Sequence, residues 1–354
     1  MQRGNERANP AVRGKMVVNL ANIHGGAERL GRPRVPTNES DDDAPPPSPS
    51  RARASASASL VPARCGVVEH VRRRALVWPD RGPSARFAQW IATGLPARVL
   101  CHLADHMPVL RSDVRDVVYL NWLVPSARAR PYLPPPLTLH ELGDAPSWTA
   151  VTVLTYRHGG FGPAFLGPVR RLLPSPWQSN WRLYLAPEEG HPSQDAVYFL
   201  TNALSSSLYV LGSRLFSDGL PAHRAAVLRH ESIDGVWTTT IDPGSGSGPD
   251  LSSEVRVDLT SPPGDLPEPF GEQFASAHEA VAYLVSQSRA LNLHRWNGRV
   301  RESRIHVPID PARVRAAEVL RVESHWLSPL VEGCPCFAFY VPALCFEALG
   351  ETDR

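Results

Sequence analysis

The sequence predicts an α+β fold that is mostly β, built as an antiparallel closed barrel with a few peripheral helices. From residue 116 onward, short β-branched and aromatic runs alternate with turn residues, and only a few helical segments interrupt them. The alternating βα units and glycine fingerprint of a dinucleotide-binding fold are missing. We expect a disordered basic tail at 1–75, a helical lead-in at 76–111 and the barrel at 112–350.

The tail differs from the rest in composition. It holds the acidic triplet at 41–43, three prolines at 45–47 and an Ala/Ser tract at 54–59, with few large apolar side chains to offset the entropy of ordering. Residues 1–74 carry 13 Lys or Arg against 7 Asp or Glu, whereas the whole chain has a formal charge of +2. Nucleic acid is therefore not an expected partner, apart from weak contacts by the basic tail.

No membrane segment or secretory signal stands out. The Arg and Ser content of the tail leaves a transit peptide open, although the acidic triplet argues against it. The chain contains no run of 18 apolar residues, and its N-terminus lacks a continuous apolar stretch typical of a secretory signal. The five cysteines show neither metal-site spacing nor the density of a disulfide framework. We expect a cytoplasmic protein with no membrane partner, and homo-oligomerisation stays open.

Two helices are predicted in the lead-in, one from a Ser84 N-cap to Thr93 with Gly94 beyond it, and one over 96–106. The first barrel strand begins at Val117 and ends at Pro125, and the prolines at 134–136 suit a barrel rim because they cannot donate to a ladder. Residues 157–178 are predicted as a loop. Further strands are predicted at 148–156, 181–186, 197–201, 223–231, 236–241, 253–259, 299–307, 318–323 and 337–341.

Two later helices complete the elements. Ser205 or Ser206 can cap a helix that runs to about Phe216. Ser276 and Glu279 form a capping-box pattern that opens a helix to about Ala290.

Three blocks resemble a known family: VYLNWLVPSARARPYLPPPLTL at 118–139, NWRLYL at 180–185, and VYFLTNALSSSLYVLGSRLFSDGLPAHRAAV at 197–227. Together with RESRIHVPIDP at 301–311, they resemble the family known as domain of unknown function 2071. The resemblance spans roughly 112–348. It implies a fold similar to acetoacetate decarboxylase, a barrel or cone with a central cavity, and it implies no established reaction.

Lysine content bears on the chemistry. A Schiff-base decarboxylase needs a lysine whose neutral amine attacks a ketone, and arginine cannot replace it because guanidinium stays protonated. Lys15, in the tail, is the only lysine of the chain. The sequence therefore argues against Schiff-base decarboxylation by the barrel.

Arg182 is the main candidate for ligand binding. Asn180, Arg182 and Tyr184 share one face of a strand because side chains alternate. If that face points inward, the cluster can hold a carboxylate or a carbonyl group; if it points outward, the residues are simply solvated. The resemblance implies an arginine in this strand with a glutamate two or three residues earlier, but Gln178 and Ser179 stand there.

Histidines supply further candidates. The resemblance places histidine or arginine near His223, Arg224 and His306, and a histidine inside a barrel can act as acid or base near neutral pH; a structural role is the alternative for each. His102 and His106 have the i, i+4 spacing of a metal pair on a helix, but no third ligand is evident. We expect neither a metal nor a cofactor, and no catalytic residue can be assigned.

Two functions remain open. The first is a barrel that binds a small anionic or carbonyl-containing metabolite in a central cavity, with or without lysine-independent chemistry. The second is a non-catalytic structural or interaction module whose barrel is filled by side chains. Aromatic residues such as Phe161, Phe165, Trp177 and Trp181 fit either a pocket or a core.

Overall fold

The computed structural model describes residues 75–188, 196–217 and 219–354, with residues 104 and 105 described by their backbone alone. The predicted disordered tail therefore lies outside the described residues, apart from residue 75. In the described part, the prediction of a mostly β closed barrel with peripheral helices is confirmed.

Thirteen strands of the described chain form one continuous sheet. They are β1 Leu110–Pro125, β2 Trp148–Arg157, β3 Gly162–Pro163, β4 Trp177–Tyr184, β5 Ala196–Leu204, β6 Ala222–Arg224, β7 Val227–Ile233, β8 Val236–Asp242, β9 Leu251–Asp258, β10 Arg289–Leu293, β11 Val300–His306, β12 Arg315–Glu323 and β13 Phe337–Asp353.

Seven of these strands close into a barrel in the order β1, β2, β4, β5, β10, β11, β13. Closure comes from the antiparallel pairing of β13 with β1, which runs from Leu110 opposite Ala348 to Asn121 opposite Phe337. Every neighbouring pair in this ring is antiparallel except β5 with β10. A closed ring leaves no unpaired edge in the barrel wall.

Four strands outside the ring extend the same sheet and cover one side of the barrel; this extension is called the second sheet below. It branches from β13 through β12, β9 and β8 to β7. Because side chains alternate along a strand, β1 contributes to two cores. Val118, Leu120 and Trp122 pack outward against the second sheet, whereas Val117 and Tyr119 pack inside the barrel.

The helices of the described residues are short. They are α1 Pro83–Thr93, α2 Leu95–Leu100, α3 Ser126–Ala129, α4 Ser207–Phe216, α5 Phe270–Gln273, α6 Ala277–Val285 and α7 Ser328–Val331, with 3-10 turns at Cys101–His106, Arg130–Tyr132, Ala164–Leu172 and Pro311–Arg313. None of the helices described has the length and apolarity to cross a bilayer.

Several predicted boundaries require correction. The first strand begins at Leu110, seven residues before the predicted Val117, and the last strand continues to Asp353 rather than ending at 341. The helix predicted to reach Ala290 ends at Val285, and β10 follows it. Pairing with distant strands overrides the weak local β preference of these misassigned stretches.

The lead-in also differs in detail. The first helix begins at Pro83 after Gly82, so Ser84 is not its N-cap, while Gly94 does follow its last residue. The second predicted helix is an α-helix only to Leu100 and then tightens into a 3-10 turn. The strand predicted over 223–231 is two strands, β6 and β7.

The two N-caps of the later helices behave differently, which gives a matched test. Ser276 accepts a hydrogen bond from the Glu279 N–H at 3.2 Å, whereas the Ser206 side chain makes no capping bond. We expect Ser276→Ala to lower the free energy of unfolding by about 1 kcal/mol and Ser206→Ala to change it by less than about 0.5 kcal/mol. Urea denaturation of both variants measures this, and equal effects would contradict the assignment of the cap.

Candidate ligand-binding cavity

A cavity of about 450 Å³ opens into the barrel. Its wall is formed mainly by apolar side chains on the inner faces of the strands, including Val114, Val117, Leu154, Phe199 and Phe346. A volume of this size falls in the usual range of small-molecule sites, which are mostly apolar with a few placed polar groups.

Three polar side chains of the cavity come from β4. Gln178, Asn180 and Arg182 alternate along the strand and all line the cavity. The register of β4 against β5 shifts between Trp181 and Arg182. Such irregularities redirect side chains and are common near functional sites. The inward orientation considered for Asn180 and Arg182 is the one that the structure has.

Arg182 is a buried cation. It is 5% exposed, and its Nη2 donates to the Leu284 carbonyl at 2.9 Å and to the Tyr184 hydroxyl at 3.3 Å. Its guanidinium carbon lies 5.6 Å from the ring centre of Tyr119 and 5.5 Å from that of Tyr184. Within the described residues no carboxylate pairs with Arg182, and its Nε has no hydrogen-bond partner.

The charge on Arg182 persists despite this burial. Burial disfavours the charged form, but the adjacent Tyr184 and Tyr119 hydroxyls outweigh that effect and raise the pKa of Arg182 above its ordinary value. A buried charge without a counter-ion is costly, and a bound anion would relieve that cost.

A chain of hydrogen bonds runs along the wall beside Arg182. Ser112 Oγ contacts His158 Nδ1 at 2.8 Å, and His158 Nε2 contacts Gln178 Oε1 at 2.8 Å. Gln178 Nε2 donates to Asn180 Oδ1 at 2.6 Å, and Asn180 Nδ2 donates to the Tyr156 hydroxyl oxygen at 3.0 Å. Since the Gln178 oxygen must accept, His158 carries its proton on Nε2 and accepts from Ser112.

This series of hydrogen bonds leaves hydrogen-bond donors directed at the cavity. Tyr156 receives the Asn180 N–H on its oxygen, and no acceptor among the described residues takes its hydroxyl hydrogen. The Tyr119 hydroxyl lies beside Arg182, and both tyrosines line the cavity. Arg182, Tyr119 and Tyr156 therefore present hydrogen-bond donors to one space, which suits an oxygen-bearing group.

Acid–base chemistry has few candidates here. Burial lowers the pKa of His158 to about 4, so its imidazole is neutral at pH 7 and a weak base. Burial also raises the pKa of Tyr119 and of Tyr156, so both hydroxyls stay protonated. Glu351 also lines the cavity, but its carboxylate is bound by Arg301 at 3.0 Å and by the Gly219 N–H at 3.1 Å.

The remaining candidate residues do not line the cavity. Tyr184 is buried behind it, where its hydroxyl donates to the Leu284 carbonyl at 2.8 Å, and it does not line the cavity. His223 and Arg224 lie on β6, where their side chains contact Ser247 and Ser207 outside the cavity. His306 is exposed on the outer face of β11, whereas its neighbour Ile305 lines the cavity.

His102 and His106 lie in the 3-10 turn, and both are exposed. Three residues per turn do not stack positions i and i+4, so this segment does not present the metal pair that an α-helix would. Among the described residues no group of three or more His, Cys, Asp or Glu could hold a metal ion.

Sequence reasoning missed several cavity residues. The loop predicted at 157–178 includes His158 and Gln178, but Gln178 belongs to β4 and pairs with Tyr156 of β2. Extending the alternation of 180, 182 and 184 back by two positions would have found Gln178. Of the aromatic residues, Phe161 lines the cavity, whereas Trp181 packs in the core outside the barrel.

The fold and the cavity together define a class of protein: a closed β barrel whose mostly apolar cavity has a buried arginine at its inner end. The chain belongs to the family described as uncharacterised conserved protein, domain of unknown function 2071, whose sequence model matches residues 111–329. The resemblance that the sequence blocks indicated is confirmed.

Solved structures to which the chain is similar are acetoacetate decarboxylase-like proteins. The enduracididine biosynthesis enzyme MppR complexed with pyruvate is 13% identical, with a TM-score of 0.45, and the match covers 70% of this chain and 90% of the MppR chain. Acetoacetate decarboxylase from Legionella pneumophila is 11% identical with a TM-score of 0.45, covering 69% and 86%. An acetoacetate decarboxylase-like enzyme from Sphingomonas wittichii is 13% identical with a TM-score of 0.46, covering 70% and 93%. A comparison with curated proteins finds no match.

The burial of His158 predicts a pH dependence of stability. Its folded pKa of about 4 lies below the ordinary 6.5, so between these pH values the unfolded chain binds more protons at this ring than the folded protein. Stability therefore falls as the pH drops through this window. Between pH 7 and pH 5 we expect His158→Gln to lose about 2 kcal/mol less unfolding free energy than the wild type, measured by urea denaturation.

His230 offers an independent check on that prediction. It lies in β7, outside the cavity, and burial likewise lowers its pKa to about 4. His230→Gln should remove a similar part of the pH dependence, and the double variant should remove both parts. A His158→Gln protein with the wild-type slope would show that His158 is not buried as a neutral ring.

Proposed function

We propose that the barrel binds a small anionic or carbonyl-containing metabolite, with Arg182 as the group that binds its oxygen atoms. The observation that carries this proposal is the charged guanidinium at the base of an apolar cavity, with no carboxylate partner among the described residues. In a low-dielectric site, a charge-assisted hydrogen bond to such a group is stronger than in water.

The neighbouring donors support an oxygen-bearing ligand over a cationic one. Tyr119 and Tyr156 add neutral hydroxyl donors to the positive charge of Arg182. A carboxylate can accept from all three groups, and a ketone can accept from one or two of them. An amine would meet the like charge of Arg182.

The same site does not carry Schiff-base decarboxylation. That reaction needs a lysine amine in the cavity, and the sequence has none between residues 16 and 354. The 450 Å³ of open space weighs against the alternative of a structural module whose barrel is filled by side chains. Ligand capture is therefore the function that the cavity supports best.

Replacement of Arg182 tests the binding role. With acetoacetate, pyruvate and benzoate as probes, we expect at least one to raise the melting temperature of the wild type. Arg182→Gln should weaken that probe at least tenfold in isothermal titration calorimetry, because a hydrogen bond to a charged group contributes about 1.5–3 kcal/mol.

Arg170→Gln is the matched control. Arg170 is also buried, bonds the Gly160 carbonyl at 2.8 Å and does not line the cavity, so its replacement should leave the probe affinity unchanged. An unaltered affinity in Arg182→Gln, with its folding verified by circular dichroism, would overturn the proposal.

Borohydride trapping tests the exclusion of Schiff-base chemistry. Reduction of a ketimine by sodium borohydride leaves a stable amine adduct on the lysine that formed it. After incubation with acetoacetate and borohydride, peptide mapping by mass spectrometry should show no adduct within residues 75–354. An adduct mapped to that region would require another nucleophilic amine and would contradict the exclusion.

A further inference from the structure

The cavity extends well beyond the donors at its base. Along β1 it is lined by Tyr119, Val117, Val114 and Leu110. At about 3.3 Å per residue, the nine steps from Tyr119 to Leu110 span roughly 25–30 Å along the strand. The cavity is thus elongated along the barrel wall rather than confined to the surroundings of Arg182.

The wall of the cavity away from Arg182 is mostly apolar. Leu154, Leu204, Leu220, Leu344 and Phe346 line it. Polar groups return at the far margin, where Arg304 is exposed to solvent and Glu351 is bound by Arg301. A ligand anchored at Arg182 therefore has hydrocarbon surface beside the rest of its length.

The volume exceeds what a short acid needs. At about 30 Å³ for a water-sized group, 450 Å³ holds roughly 15 such groups, several times the size of a two- or three-carbon acid. Apolar space of this kind gains free energy when hydrocarbon fills it.

Helix α4 contributes an unfilled position to the same wall. Gly212 lines the cavity, and a Cβ built on it would meet no atom within 4 Å. Glycine in a helix interior costs about 0.5–1 kcal/mol relative to alanine. One turn earlier, Leu208 also lines the cavity and is 65% exposed, which places it at the mouth.

We propose that the ligand is an amphiphilic monocarboxylic acid with an unbranched apolar tail of about ten carbons, its carboxylate on Arg182 and its tail running along β1 past Gly212 towards Leu208. This inference rests on the proposed function and narrows its ligand class. Both ends of the ligand then contribute to selectivity: Arg182 binds the carboxylate, and the apolar wall of the cavity contacts the tail.

A chain-length series tests the tail. In calorimetric titrations of the full chain with butyrate, hexanoate, octanoate and decanoate below their micelle concentrations, we expect the Kd to fall about threefold to fourfold per added methylene. Decanol and decanamide should bind at least tenfold more weakly than decanoate. An affinity that stays flat from butyrate to decanoate would overturn the inference.

A cavity-filling variant locates the tail. Gly212→Phe should weaken decanoate at least tenfold and leave butyrate affinity unchanged, because the added ring occupies only the upper cavity. Gly264→Phe is the matched control, since Gly264 is exposed, also has no atom within 4 Å of a built Cβ, and does not line the cavity. Gly212→Leu gives a smaller obstruction of the same kind if the phenylalanine variant folds poorly.

The outcomes separate the two proposals. If butyrate binding depends on Arg182 but the affinity does not rise with tail length, the proposed tail site is overturned. The proposed carboxylate site is then retained. Decanoate binding that Arg182→Gln does not weaken overturns the carboxylate site. Wild-type decanoate affinity in Gly212→Phe shows that the tail does not pass α4, and this also overturns the inference.

Discussion

The pairing of β13 with β1 is the constraint on which the rest of the structure depends. It joins residues more than 200 positions apart and closes an open sheet into a barrel with an enclosed interior. Without it, the inward side chains of β1 and β4 would face an open groove, and Arg182 would be hydrated instead of buried. The electrostatic character of the cavity is thus a consequence of closure.

Closure is accommodated by a local irregularity in β1. The register against β2 shifts between Arg115 and Val118, and Asp116 there has a φ of 59°. Its carbonyl accepts from His230 at 2.9 Å and its carboxylate from the Tyr340 hydroxyl at 3.0 Å. The bond from His230 connects the bulge to β7 of the second sheet, and the bond from Tyr340 connects it to β13 of the barrel. Together they offset the cost of a left-handed aspartate.

Much of the fold could be predicted because the decisive patterns are local. The run of β-branched and aromatic residues before Pro125 predicts a buried strand, and the Ser276 and Glu279 pair predicts a helix start that the structure confirms. The second half of β13 and all of β10 escaped prediction because their local β preference is weak and their distant partners, β1 for β13 and β5 for β10, are not visible in a local pattern.

The site could be predicted only in part, for a related reason. Alternation along β4 groups 180, 182 and 184 on one face, but it cannot say which face is inside, since closure decides that. It also cannot separate Arg182, which reaches the cavity, from Tyr184, which lies behind it. The donors of Tyr119 and Tyr156 come from other strands and meet Arg182 only through the register of the ring.

The two-faced burial of the barrel strands has a consequence for how this protein can change. Outward residues such as Leu120 and Trp122 hold the barrel to the second sheet, whereas Val114 and Leu154 border open space. Substitution at the second pair alters the shape of the chamber while the outer core keeps its packing. The same backbone can therefore acquire new chemical preferences by drift or by engineering, one inward position at a time, with the barrel itself preserved.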